Sequence, residues 1–333
     1  MRRTRMGETA MTRNPCHSAW IAGALFAAAA ILAHAEDYPK GPISVIVPLA
    51  PGDAVDVAAR AIGEELTRSL RVPILVVNRP GAGGALGVDS VVKANKDGYT
   101  IGLTMNAALT FRRVLDPQTA TYDPEKDMTL LGLAMRTPSV VAVRSDLPYK
   151  DFAALVAYAR ANPKSVRIGT PGAGSAGEFA VATINSFAGT DIVPVPFKGA
   201  SPAITALRGG HVEGVALALG VLSGHLKGGV MRGIVTSNRA PDFPDIPTLA
   251  ALGHAQKLLG VWAAFIAPAG IPGEVSGVLV PAIEKAVKSP EIAARLNALG
   301  MIEDYQPPEK LLAEIREEHR MVEEVAHKAG FVK

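Results

Sequence analysis

Three times in its first 107 residues the chain passes from an apolar run into a loop, twice with helical rhythm following. That alternation restricts it to a sheet with helices on its faces. The first unit, 43–70, reads ISVIVPLAPGDAVDVAARAIGEELTRSL. Its Val/Ile run breaks at Pro51-Gly52, and Ile62, Leu66 and Leu70 then recur at four-residue spacing, one stripe of a helix. Asp53 stands at the helix N-cap position and Asp56 in the first turn, where negative charge suits the macrodipole. A buried strand feeding a helix N-terminus leaves backbone N–H groups facing outward, a receptor for a carboxylate or phosphate. This loop is expected to form one wall of a ligand cleft.

Strands follow at 74–78 (ILVVN) and 99–104 (YTIGLT), with a glycine loop at 79–84, a helix at 85–95 and a loop at 105–107. A middle block repeats the scheme: strands at 140–143, 166–170, 192–197, 212–219 and 231–236, helices at 151–162 and 201–208, and a helix through Phe179, Ile184 and Phe187. One more strand, 261–267, leads to helices near 273–289, interrupted by Pro281, and 308–329. The pattern predicts a parallel α/β sheet whose ligands collect beyond the carboxyl ends of the strands. The charged residues of the last helix, Glu309, Glu314, Glu317, Glu318, Arg316 and Arg320, read as a solvated face, and Trp262 and Phe265 as core.

Gly172-Ala173-Gly174-Ser175-Ala176-Gly177 is a literal G-x-G-x-x-G between strand and helix, so a nucleotide-binding oxidoreductase is the enzyme alternative. That fingerprint requires an acid after the next strand, yet the nearest, Asp191, precedes it. No cofactor is expected, but the loop still offers N–H groups and the Ser175 hydroxyl to an anion. Ser175 has no G-x-S-x-G context and no evident base, and His211 and His225 lack metal-ligand spacing. The chain therefore reads as a binding protein, not an enzyme.

The net charge of +3 arises from the N-terminus. Without residues 1–35 the basic and acidic side chains balance at 30 each, which leaves no electrostatic footprint for nucleic acid. Those 35 residues read as a signal peptide: arginines, the apolar run IAGALFAAAAILA, then Ala33-His34-Ala35 as an A-x-A cleavage site. Cys16, the one cysteine, leaves with them, so the mature protein has no disulfide. The expected location is the periplasm.

With these loops placed, the chain resembles the periplasmic receptors of tripartite tricarboxylate transporters, the Bug receptors. The likeness runs from Tyr38 to Gly330 through Tyr38-Pro39, Ile46-Val47-Pro48, Pro51-Gly52, Asp56, Ala59-Arg60 and Val77-Asn78-Arg79-Pro80-Gly81-Ala82-Gly83-Gly84. It continues through Asp97-Gly98-Tyr99-Thr100, Tyr122-Asp123-Pro124, Gly172, Gly174-Ser175, Phe197-Lys198-Gly199, Pro244-Asp245-Ile246-Pro247-Thr248 and Ala267-Pro268-Ala269-Gly270. The resemblance implies a two-lobed α/β periplasmic binding protein, a Venus flytrap with its ligand cleft between the lobes. Lobe 1 would be discontinuous, 36–136 and 250–333, and lobe 2 would be 137–249. Also implied are a small organic carboxylate as ligand, a two-subunit membrane permease as partner, and a monomer. A periplasmic sensor for a membrane signalling partner would share this fold.

Carried over by position, the ligand contacts are Leu49, Ala50, Pro51, Gly52, Asp53, Asp56, Asn106, Gly172, Ala173, Gly174, Ser175, Lys198, Gly199 and Ala200. Three departures stand out. Asp53 replaces a usual second glycine, Leu217 a common acid, and Glu178-Phe179 a common His-Leu. A fixed charge at Asp53 works against a simple carboxylate and favours a ligand that is less anionic or bears an amino or hydroxyl group.

Overall fold

An unbroken Val/Ile run makes a strand shielded on both faces, and β1 (Ile43–Val47) is such a strand, with Ile43, Val45, Ile46 and Val47 all buried. The computed structural model describes residues 1, 38–49, 51–52 and 54–332. Apart from Met1, the export leader read at 1–35 lies outside the described residues, as do Ala50 and Asp53. Helix α1 (Ala54–Leu70) buries Ile62 and Leu66 of the expected stripe, and β2 (Ile74–Asn78) follows. A 3-10 turn (Ala82–Gly84), α2 (Ala85–Val92) and β3 (Thr100–Met105) come next, then a π turn (Ala107–Phe111) running into α3 (Arg112–Leu115).

The chain then crosses between sheets. β4 (Met128–Thr137) and β5 (Ser139–Arg144) are separated by Pro138 alone. The middle contains α4 (Phe152–Ala161), β6 (Arg167–Thr170), α5 (Ala176–Ala188), β7 (Val193–Pro196) and α6 (Ala200–Arg208). β8 (Gly214–Ala218), α7 (Leu219–Lys227) and β9 (Met231–Thr236) complete it. After β10 (Val261–Pro268) come α8 (Gly273–Val287), α9 (Pro290–Ala298), β11 (Ile302–Gln306) and α10 (Pro308–Lys328).

Two sheets result. One has six strands in the order β11-β4-β10-β3-β1-β2, the other five in the order β7-β6-β8-β5-β9. Neither is wholly parallel. β1 runs parallel to β2 and β3, and β6 to β7 and β8, as the βα pattern requires. β10 is antiparallel to β3 and β4, and β5 to β8 and β9, which corrects the all-parallel expectation. The reason is the crossing itself: a strand leaving a sheet and one re-entering beside it run in opposite directions, and Thr137 sits opposite Val261.

α10 corrects the reading of a wholly charged outer face. Leu311, Ile315, Glu318, Val322 and Ala326 are all buried, at successive spacings of four, three, four and four. Glu318 thus falls on the apolar stripe and is 6% exposed. A further cluster joins elements attached to the two sheets. Phe111 packs edge-on against Phe179 of α5, ring centroids 5.0 Å apart, and Phe331 meets Phe179 at 5.3 Å, beside Val322 and Ala326.

Candidate functional site

Asp56 organises the first loop. Its Oδ2 accepts from Gly52 N–H at 2.9 Å and Arg60 Nε at 3.1 Å, and its Oδ1 from Arg60 Nη2 at 3.0 Å and Asn78 Nδ2 at 2.8 Å. Asn78 Nδ2 also donates to Leu49 O at 3.0 Å, so one buried acid and one amide fix the 49–52 turn to the end of β2. Burial pushes the Asp56 carboxyl up, but the bonds from Arg60, Gly52 and Asn78 outweigh it and hold the group below the usual carboxylate range. With both oxygens committed and 1% exposure, the Asp56 carboxylate is engaged in holding the turn. Asp56→Ala is expected to cost about 2 kcal/mol in urea unfolding at pH 7, by stripping acceptors from buried donors. Because the folded carboxyl titrates lower than the unfolded one, that contribution is complete at neutral pH and is lost only as the pH falls below the unfolded value of 3.8.

The second loop, between β6 and α5, is built alike. Ser175 is the N-cap, its Oγ accepting from Glu178 N–H at 3.3 Å, while Glu178 Oε2 accepts from Gly174 N–H at 2.6 Å. This S-x-x-E arrangement uses the acid three residues on to close the loop behind the cap. Gly174 holds φ +69°, a left-handed geometry open to glycine. Gly177 serves close approach instead: a Cβ there would lie 2.1 Å from Ala216 O on β8, so α5 can rest on the sheet only through a glycine. The loop after β7 lies alongside, Gly199 N–H donating to Pro171 O at 3.0 Å.

Between these elements lies a cavity of about 250 Å³. Met105, Asn106, Ala107 and Phe111 line it from the end of β3 and the π turn. Pro171, Gly174, Ser175, Ala176 and Gly177 line it from the second loop and α5. Ser139, Ala200, Ala216, Leu217, Ala218, Val221 and Val261 complete the wall, so both sheets contribute. Of the residues expected from sequence, the cavity brings together Asn106, Gly174, Ser175 and Ala200. Leu49, Pro51, Gly52, Asp56, Gly172, Ala173, Lys198 and Gly199 are not among the described lining, and the Lys198 side chain is exposed. Leu217, noted in the sequence as a departure from the family, does line the cavity; Val221 and Val261 were missed, apolar residues that look like ordinary core until the cavity is seen. A larger hollow, about 650 Å³, takes Trp262 into its wall. Consecutive strand residues point to opposite faces, so it lies across β10 from the cavity that Val261 lines.

Asn106 lines the cavity, yet its amide faces inward. Nδ2 donates to Gly260 O and to Glu318 Oε1, both at 2.9 Å. Glu318 also meets Thr110 Oγ1 at 2.7 Å and accepts from Trp262 Nε1 at 2.6 Å. α10 thereby holds the π turn from behind. Burial raises the Glu318 carboxyl to about 7, against the lowering effect of the bonds from Thr110, Trp262 and Asn106.

Residues 58–330 match the family described as the tripartite tricarboxylate transporter family receptor. The chain belongs to that family. Bug-type relatives share nearly its whole length: BugT of Bordetella pertussis is 31% identical over 303 residues, covering 90% of this chain and 93% of BugT. A solved TctC solute-binding protein from Polaromonas superposes with a TM-score of 0.79 at 27% identity, over 87% of this chain and 99% of that one. MatC of Rhodopseudomonas palustris, solved with bound malate, superposes with a TM-score of 0.70 at 29% identity, over 86% and 99% of the two chains. As a Bug-type receptor the protein has the two-lobed α/β fold of periplasmic solute-binding proteins. The family is one of solute receptors. Among the described residues no helix is long and apolar enough to cross a membrane.

Proposed function

We propose that the protein is an exported receptor that binds a small organic carboxylate in the cavity between the sheets and delivers it to a two-subunit membrane permease. The observation that carries this reading is the cavity itself, where the N-terminus of α5 meets the turn after β3 from the other sheet. A helix N-terminus presents unpaired N–H groups and the positive end of the macrodipole, which favours an anion. Bound malate in the MatC structure supports the ligand class.

In this reading the leader is removed near Ala35 and the mature receptor acts in the periplasm as a monomer. Lobe 1 is 36–136 with 250–333 and lobe 2 is 137–249, a division supported by the membership of the two sheets. Ligand contacts come from the loops at Asn106, Gly172–Ser175 and Lys198–Ala200, and from the 49–56 stretch.

A thermal-shift screen of mono-, di- and tricarboxylates tests the ligand class. A ligand at 100 times its Kd adds about 2.7 kcal/mol, so the midpoint should rise by roughly 4 °C. If no carboxylate moves it, the ligand class is wrong.

A further inference from the structure

The cavity offers hydrogen-bond donors at one end and carbon elsewhere, and among its described lining no side chain is charged. We propose, resting on the receptor reading above, that it takes a monocarboxylate with a compact apolar body in preference to a di- or tricarboxylate.

The donor end is small. Ala176 and Gly177 occupy the first two positions of α5, so their N–H groups have no acceptor within the helix, and none in the loops among the described residues. Ser175 Oγ already accepts from Glu178 N–H, which leaves its hydrogen to give. Across the cavity the Ser139 hydroxyl has no hydrogen-bond partner among the described residues, although Ser139 is only 3% exposed. From that wall the hydroxyl can hydrogen-bond a polar guest. These groups match the two oxygens of one carboxylate.

A second carboxylate would have nowhere to go. Gly174 N–H is already taken by Glu178, so it has no hydrogen to offer a second anion. The remaining wall is hydrocarbon: Leu217, Val221 and Val261 with Phe111 and Met105. An extra carboxylate placed there would lose its water and gain no cation. A hydrocarbon body gains instead from leaving water. At about 250 Å³ the cavity lies below the usual range of ligand pockets, roughly 300–1,000 Å³, so that body is compact.

Isothermal titration of the purified mature receptor with hexanoate, benzoate, succinate, citrate and hexanamide tests the proposal. Hexanoate or benzoate should bind at least tenfold more tightly than succinate and citrate, and hexanamide at least tenfold more weakly than hexanoate. Val221 is 47% exposed, so Val221→Asp should fold with an unchanged ligand-free midpoint while weakening the better monocarboxylate at least tenfold. Tighter binding of succinate or citrate than of both monocarboxylates would overturn the proposal and leave the receptor reading standing. Binding by no carboxylate would overturn both. Unchanged monocarboxylate affinity in Val221→Asp would remove the assigned cavity.

Discussion

Phe179→Ala is expected to destabilise the receptor by about 4 kcal/mol, the cost typical of emptying a large buried aromatic site. Phe179 is 0% exposed and held between two rings, Phe111 at 5.0 Å and Phe331 at 5.3 Å. Both pairs are edge-on, so the loss includes aromatic interactions beyond the buried area. The surroundings cannot collapse easily, because Phe111 comes from the π turn, Phe331 from the C-terminal tail and Phe179 from α5. Calorimetry should place the midpoint roughly 6 °C below that of the parent. Leu252→Ala is the control, since Leu252 is 40% exposed and its loss should cost less than about 0.5 kcal/mol. A midpoint for Phe179→Ala within a degree of that control would show that the ring cluster does not join the halves. Phe111 lines the cavity, so ligand affinity should fall as well.

Glu318 is expected to make stability decline as pH rises from about 4.5 to about 7. Its folded carboxyl holds a proton more tightly than the unfolded one. The stabilisation is therefore complete below the unfolded value of 4.5 and is lost as pH climbs through the folded value of about 7. The interval corresponds to about 3 kcal/mol as an upper estimate. Hydrogen-bond counting points the same way. Thr110 Oγ1 lies 2.9 Å from Asn106 O and 2.7 Å from Glu318 Oε1, but a hydroxyl has one hydrogen. Asn106 O can only accept, so both contacts are satisfied when Glu318 is protonated and donates to Thr110. Charge nearby does not reverse this. Glu314, on the same helix, adds to the rise, while Arg136 of β4 is bound by Glu314 and Asp304, and Glu178 of α5 by Gly174 N–H. Melting scans from pH 4.5 to 8 should show the parent losing stability relative to Glu318→Gln, which has no carboxyl to titrate. Parallel curves would exclude Glu318 as the source.

Much of the scaffold was legible because burial writes period into sequence. β2 and β9 fall where the apolar runs 74–78 and 231–236 placed them. β11 was hidden because IEDYQ, half-buried along its length at the sheet edge, carries no apolar run. The antiparallel pairing of β10 with β3 and β4 depends on chain crossings that local pattern does not encode. At the site, the glycine loop of 172–177 was readable, yet the capture of Gly174 N–H by Glu178 was not drawn from it. The S-x-x-E spacing of Ser175 and Glu178 was the available signal. For Glu318 position outweighs charge: counting from Leu311 and Ile315 places it on the buried stripe.

The sheet memberships also set an order of assembly. All five strands of the second sheet lie within 139–236, so that sheet can close with no help from the rest of the chain. The first sheet cannot. The flank of β3 away from β1 is covered only by β10, whose residues 261–268 arrive after the whole middle segment. Pairings so distant in sequence form slowly, and a waiting strand edge invites the wrong partner. As the chain is synthesised, the sheet that holds β1 is therefore the one that finishes last.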